Sequence, residues 1–346
     1  MNIFISIVIP VYNTRVELFE KAINSVLAIN VPIEIIVVDD GSKNSFSISY
    51  KNILQDFPQI HYFYKKNEGV SIARNYGISV SKGKYLLFLD ADDEISPEYA
   101  KFISGHFHEI NAEWVLCGVK VVNVADGNIV NRDIFEISEL KTNNQSALCD
   151  VDLYDLIKIR VSTSKISECW GKLILRSIVV ENQISFPEGV TIGEDLVFNT
   201  RLMKVVNSIQ YIPVYGYCYK MMPRSADRVS AESYKRFEHL HERKQELDAL
   251  INARVNEAFR GELFLLQNIE LIKVIVGDCI TFYNAGILNV AMKAHITDWV
   301  LEIEVLKNVS FMKCKGVKAK IYYLIIKYHL WYIISFLARL HKIFNK

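Results

Sequence analysis

The sequence of 346 residues has no CxxC pair; its six cysteines, Cys117, Cys149, Cys169, Cys218, Cys279 and Cys314, are scattered. That spacing argues against a structural zinc site or a thioredoxin-like redox motif. Scattered reduced thiols suit a cytoplasmic protein. No GxGxxG follows the first strand-like run, where PVYN stands instead, so the dinucleotide-binding fingerprint is missing. Gly171-Lys172 lacks the earlier glycines of a P-loop. His241-Glu242 does not open an HExxH zinc site, because Gln245 stands where the second histidine is needed. One-sided charge is absent as well. Lys+Arg number 40 and Asp+Glu 39, a net of +1, which argues against nucleic acid as a partner held by bulk charge. The opening MNIFISIVIPVYN has no basic n-region and no small-residue cleavage site, and reads as a strand rather than a signal peptide.

What is present is ample apolar material. The chain is 51% hydrophobic and 23% charged, enough to bury a core without a metal or disulfide staple. At roughly 150 residues per domain its length suggests about two domains. Strand and helix signals alternate over the first hundred residues. Residues 5–9, 33–38, 60–64 and 84–89 are β-rich runs with few polar residues. Leu18, Ala22, Val26 and Ile29, then Ile72, Tyr76 and Val80, recur at helical spacing. This pattern predicts a parallel sheet covered on both faces, with ligands beyond the carboxyl ends of the strands. Residues 114–122 and 129–137 flank Asp126-Gly127-Asn128 and predict a hairpin. Residues 138–165 give no clear pattern, residues 194–206 predict a helix, and 209–219 a strand. From about residue 230 the chain reads as helical, with helices over 262–284, 286–293 and 297–308.

Three acidic clusters carry the chemistry. Asp39-Asp40 follows the second strand, Asp90, Asp92 and Asp93 follow the LLFL run, and Glu194-Asp195 opens a helix after Gly193. Turn formation or helix capping is the structural alternative at each. Carboxylates one residue apart, as in Asp90-Ala91-Asp92, can meet Mg²⁺ or Mn²⁺, ions that prefer oxygen ligands and share them with substrate phosphates. Such an ion neutralises charge on a departing diphosphate.

PVYN at 10–13, VVDDGS at 37–42, NEGVSIARN at 67–75 and FLDADD at 88–93 follow one another in order. Together they resemble the nucleotide-sugar domain of the inverting family 2 glycosyltransferases of bacterial surface-polysaccharide type. GEDLVFN at 193–199 is similar to that family's later ED motif, and CWGKLILRS at 169–177 to a segment before it. The resemblance is close over about residues 3–100, looser over 165–225 and absent over the last third. It implies an α/β GT-A nucleotide-diphospho-sugar transferase fold over residues 1–228, followed by a helical region over 229–346. By similarity Pro10 and Tyr12 line the nucleotide pocket, Asp40 accepts a hydrogen bond from the uracil ring, and Asp39 supports that turn. Arg74 aligns with a basic residue near the diphosphate or base, with pairing to a carboxylate as its alternative. Asp90 would hold the ribose or a metal-bound water, Asp92 would be the main ligand of Mn²⁺ or Mg²⁺, and Asp93 would assist or cap the turn. Asn75 would fix the Arg74 loop. Asp195 is the expected catalytic base, Glu194 its orienting partner. Trp170 and Lys172 are candidates for the acceptor side, with a core tryptophan the alternative. Arg224, Ser225 and Arg228 fall where related enzymes place a loop over the diphosphate.

The implied reaction is inverting transfer of a hexose or N-acetylhexosamine from a UDP-sugar to a glycan acceptor, with a lipid-linked bacterial polysaccharide intermediate as the implied acceptor. The missing QxxRW motif favours addition of one sugar. A sugar nucleotidyltransferase is the enzymatic alternative, but no early glycine-rich basic phosphate loop is present. A non-catalytic, membrane-associated assembly protein is the other, and intact Asp92 and Asp195 count against it. The apolar residues 321–338 fall short of the roughly 20 needed for a span and contain Lys327 and His329. Lys313, Lys315, Lys318 and Lys320 precede them; Arg339, Lys342 and Lys346 follow. The pattern fits an interfacial helix in peripheral contact with anionic lipid on the inner face of the plasma membrane, or a helix packed on protein.

Overall fold

The structure, a computed structural model, describes residues 2–132, 148–163, 165–190, 192–222, 226–284, 286, 288–302, 304–307 and 309–344. It divides into two compact units, Met1–Leu156 with Ile166–Pro223, and Ile157–Lys165 with Arg224–Lys346.

The first unit opens with β1 (Ile5–Val11), α1 (Val16–Leu27), β2 (Ile33–Asp39), α2 (Asn44–Leu54), β3 (Ile60–Tyr64), α3 (Val70–Val80) and β4 (Tyr85–Phe88). Then come β5 (Glu94–Ile95), α4 (Pro97–His106), β6 (Trp114–Asn123), β7 (Ile129–Arg132) and β8 (Cys149–Asp150). After α5 (Leu153–Ser162) follow β9 (Leu173–Leu175), α6 (Arg176–Glu181), α7 (Glu194–Met203) and β10 (Ile209–Met221). The ten strands form one sheet of order β3-β2-β1-β4-β9-β6-β10-β5, with β7 on β6 and β8 on β10. The first four are parallel. β9 is antiparallel to both β4 and β6, and so joins this half to the parallel β6–β10 pair. β1 is buried along its whole length, as its unbroken apolar run requires when helices cover both faces. α3 packs on β1 and β2. Gly77 permits that approach, since a Cβ there would stand 2.3 Å from Cγ1 of Val8.

Register sets the site. Val11 pairs with Asp39 and Val8 with Phe88, so the segments after β1, β2 and β4 leave the sheet at one edge. The strand expected over 129–137 runs from Ile129 to Arg132; residues 133–137 lie outside the described residues. α5 and β8 occupy part of the stretch that gave no sequence pattern. α5 was obscured because its buried residues, Leu156, Ile157 and Val161, sit among Asp, Lys and Arg.

The second unit is helical: α8 (Ala226–Arg254), α9 (Glu257–Asn284), α10 (Val290–Glu302), α11 (Val317–Lys327) and α12 (Trp331–Phe344). α9 runs through its core, where Ile272, Ile275, Val276 and Cys279 join a buried cluster with Met292, Ile296, Tyr322, Ile325 and Ile334. The helices differ from the sequence expectation at two places. The separate helices at 286–293 and 297–308 are one helix, α10. Its interior has no Gly or Pro to interrupt it, and Asn289 caps its start by accepting from the Met292 N–H at 2.9 Å. The apolar run 321–338 is not one helix but parts of α11 and α12. His329 adopts φ +52, while Leu330 N–H donates to the Ile325 carbonyl at 3.0 Å, the 6→1 bond of a Schellman stop. Tyr322, Tyr323, Ile325, Ile326, Ile334 and Ala338 of this run are buried in the unit's core. Among the described residues, no helix is long and apolar enough to cross a membrane.

Candidate active site

The turn after β1 is tied to the turn after β2. Asn13 N–H donates to Ser42 Oγ, and Asn13 Oδ1 accepts from the Lys43 N–H, each at 2.9 Å. Pro10 lies buried in β1, whereas Tyr12, just past the strand, is 54% exposed at the sheet edge. Asp39 is fully buried and accepts from Ser42 N–H (2.7 Å), Ser47 Oγ (2.7 Å) and Tyr62 Oη (2.5 Å). It is the anchor of its turn. Asp40 accepts from Lys65 Nζ at 2.7 Å and from the backbone N–H of Glu68 (3.0 Å) and Gly69 (2.8 Å). Its charge therefore sits where α3 begins, at the positive end of the helix dipole.

α3 carries the next element. From Gly69 to Arg74 the helix rises about 7 Å, and Arg74 is only 3% exposed. Its Nη2 donates to Asp90 Oδ1 at 2.8 Å, and its Nη1 to Asp195 Oδ1 at 2.7 Å and Glu194 Oε1 at 3.3 Å. The guanidinium carbon lies 5.2 Å from the centroid of Phe186. Burial opposes the charge on Arg74, but Asp195 first, and Asp90 and Glu194 with it, hold its pKa well above the usual value. One planar fork thus links the aspartate after β4 to both acids that open α7. Asn75, the next residue, fixes Phe186: its Nδ2 donates to the Phe186 carbonyl at 2.9 Å and its Oδ1 accepts from the Phe186 N–H at 2.8 Å.

Glu194 and Asp195 do not cap their own helix by side chain; Gly193 stands at the N-cap with φ +89. Burial, then the neighbouring Asp195 charge, push Glu194 from 4.5 up to about 7, against the pull of Arg74. Asp195 Oδ2 accepts from the Cys169 N–H at 3.2 Å. The chain before Cys169 is held by Asn199, whose Nδ2 donates to the carbonyls of Ile166 (3.1 Å), Ser167 (3.0 Å) and Glu168 (2.8 Å). Asn199 lies one turn beyond Asp195, on the same helix face.

Trp170 and Lys172 are both buried. Trp170 stacks on Tyr217 with centroids 4.0 Å apart and rings 14° from parallel. Lys172 Nζ donates to the Glu168 carbonyl, and burial pulls its pKa below the ordinary value. Between them Gly171 has φ +71, and a Cβ there would meet Tyr217 Cβ at 2.9 Å. Both the left-handed backbone and the close ring require glycine.

Asp93 departs from its neighbours. It accepts from Tyr217 Oη at 2.8 Å and Lys220 N–H at 2.7 Å. Burial, then the Asp90 charge, push it up to about 8. It therefore ties the turn to β10. Asp90 and Asp92 are partly exposed on that turn. Among the described residues no three His, Cys, Asp or Glu side chains form a complete metal set. Two carboxylates on a turn do fit an Mg²⁺ or Mn²⁺ ion that takes its other ligands from water and substrate phosphate.

The structure thus brings Arg74, Asp90, Glu194 and Asp195 into one cluster, with Asp39 and Asp40 held by their own turn along the same sheet edge. Arg224 and Ser225 lie outside the described residues, as does the side chain of Arg228. Tyr217, Lys65 and Asn199 had no role in the sequence reading. The helical spacing of Asn199 from Asp195 was the signal available for it; Tyr217 and Lys65 act across more than twenty residues, and spacing reveals neither.

Residues 6–168 match the family model for glycosyl transferase family 2. An uncharacterized glycosyltransferase, YibD, of Escherichia coli K12 is 24% identical over 233 residues, covering 67% of this chain and 65% of that protein. A poly(ribitol-phosphate) beta-glucosyltransferase of Bacillus spizizenii is 30% identical over 238 residues, 65% of this chain and 33% of that protein. This chain thus spans less than two thirds of the length of either. The crystal structure of Staphylococcus aureus TarS 1–349 in complex with UDP-GlcNAc aligns with a TM-score of 0.66 at 18% identity, covering 90% of this chain and 83% of that one. The ordered motifs, the sheet with its acidic edge and the family match lead to one assignment: residues 6–168 carry a glycosyl transferase family 2 domain, and the chain has the GT-A fold.

Proposed function

We propose that this chain transfers a single hexose or N-acetylhexosamine from a UDP-sugar to a glycan acceptor, with inversion, and that the acceptor is a lipid-linked intermediate of a bacterial surface polysaccharide. The observation that carries this reading is the Arg74 cluster, which holds Asp90 of the DAD turn beside the Glu194–Asp195 pair. The nucleotide-sugar complex of TarS and the activity named for the Bacillus relative support a UDP-linked donor and a surface-polymer acceptor.

In the reaction the acceptor oxygen forms a bond to C1 of the sugar as the C1–O bond to the diphosphate breaks. UDP leaves with that electron pair, and Asp195 takes the acceptor proton. Arg74 and the Cys169 N–H each bind one oxygen of Asp195. A carboxylate has further lone pairs with which to accept the proton. Glu194 orients this pair. Tyr12 and Pro10 border the base, Asp40 the uracil edge, and Asp90 the ribose. Asp92 and Asp90 would hold Mn²⁺ or Mg²⁺, which when bound neutralises charge on the diphosphate. The burial of Trp170 and Lys172 favours a supporting part on the acceptor side, shaping the Cys169–Gly171 turn.

The test is UDP release from a panel of UDP-sugars with Mn²⁺ and candidate acceptors, followed by NMR of the product. An inverted anomeric centre on an extended glycan is expected. Release of a sugar nucleotide from a sugar phosphate and UTP would mark a nucleotidyltransferase and refute the reading.

A further inference from the structure

The second unit segregates charge. Between residues 305 and 346 there are nine Lys and Arg and no Asp or Glu, which leaves the preceding 304 residues at −8 although the whole chain is +1. The same segment exposes large apolar side chains. Ile334 and Ala338 turn inward from α12 into the core, whereas Tyr332 (71% exposed) and Phe336 (60%) stand a turn apart on its outer side. Tyr328, in the turn before α12, continues their spacing and is 57% exposed. Single exposed apolar residues are ordinary, but an aromatic row inside a wholly cationic segment is not. Lys307 pairs with Glu304 at 2.7 Å, whereas two lysines of α11 lie beside aromatic rings: Lys327 Nζ is 5.3 Å from the centroids of both Tyr323 and Tyr328, and Lys320 Nζ is 5.1 Å from that of Phe311.

We propose that this surface, formed by α11, α12 and the turn joining them, docks on an anionic phospholipid bilayer. Aromatic side chains settle at the boundary between headgroups and acyl chains, and lysines beside them meet lipid phosphate. Charge complementarity selects this occupant. A second copy of the same surface would bring Lys315, Lys318, Lys320 and Lys327 against their own counterparts, whereas an anionic leaflet attracts each of them. α12 then has two apolar sides with separate tasks, Ile334 and Ala338 toward the core and Tyr332 and Phe336 toward lipid. The inference goes beyond sugar transfer and depends on no part of the Arg74 cluster.

The test is co-sedimentation of the full chain with vesicles of pure phosphatidylcholine and of equimolar phosphatidylcholine and phosphatidylglycerol. Binding is expected to the anionic vesicles alone and is expected to fall at about 1 M salt, where the Debye length shrinks to about 3 Å. Tyr332→Ser with Phe336→Ser should lower partitioning about tenfold or more. Lys315→Gln with Lys318→Gln should lower it about fivefold per lysine. All four positions are exposed, so melting temperature and transfer to a soluble acceptor should be unchanged. Equal binding to both vesicles, no binding to either, or full binding by the Tyr332/Phe336 variant would overturn the proposal. So would a dimer that the aromatic substitutions dissociate without any vesicle binding, which would make the surface an interface between copies. Vesicle binding is read without catalysis, so its failure is separable from failure of the transferase assignment.

Discussion

Arg74 binds three carboxylates from two distant parts of the chain. Replacing it by Met leaves all three partly buried without a counter-charge, and loss of one partner from such a group costs about 3–5 kcal/mol. A marked drop in melting temperature is therefore expected for Arg74→Met. Arg74→Lys should recover only part of it, since a point charge cannot reproduce the fork. Thermal unfolding of both variants checks this. Glu194 provides a pH test. Its pKa in the fold, about 7, lies above the ordinary 4.5, so the fold favours its protonated form. Its contribution to stability is fully present below about pH 4.5 and is lost as pH rises through 7. Relative to Glu194→Gln, the native chain should lose stability over that window; parallel melting curves for the two proteins across it would refute the assignment. The acid pair was legible in the sequence because GED is a local motif. Its arginine partner was not, because Arg74 lies more than a hundred residues away and carries no mark that separates a carboxylate partner from a phosphate.

At the scale of elements, the parallel half of the sheet could be read residue by residue, since β1, β2 and β4 are unbroken apolar runs ended by polar turns. The helical unit was harder. Its helices are capped by single residues such as Asn289, and the stop between α11 and α12 rests on His329 in a left-handed conformation that no sequence rule assigns to histidine. His329→Gly should raise stability by up to about 1 kcal/mol, because glycine bears that conformation without steric cost; a loss of stability on denaturant unfolding would contradict the stop. Between α7 and the Cys169 turn, Asn199 works at a distance. Asn199→Ala frees the 166–168 carbonyls and should lower kcat more than it raises the donor KM, as expected for a residue that positions the base rather than the nucleotide. Steady-state kinetics separate the two.

Over the whole molecule, the even balance of charge hides an uneven arrangement. Acids gather at the carboxyl edge of the sheet, and a run of basic residues closes the chain. The first pattern falls within the family resemblance and could be read from motifs in order. The second lies where that resemblance ends, and its significance depends on which aromatic residues face water, a matter decided by packing on α9. In the proposed reaction the acidic cluster centred on Asp195 performs the transfer. The most direct test is the rate of UDP-sugar turnover by Asp195→Asn, with folding verified by a single cooperative melting transition. A fall of about 10²–10⁴-fold in kcat is expected, the usual contribution of a general base, with the donor KM little altered. Turnover at the native rate would contradict it.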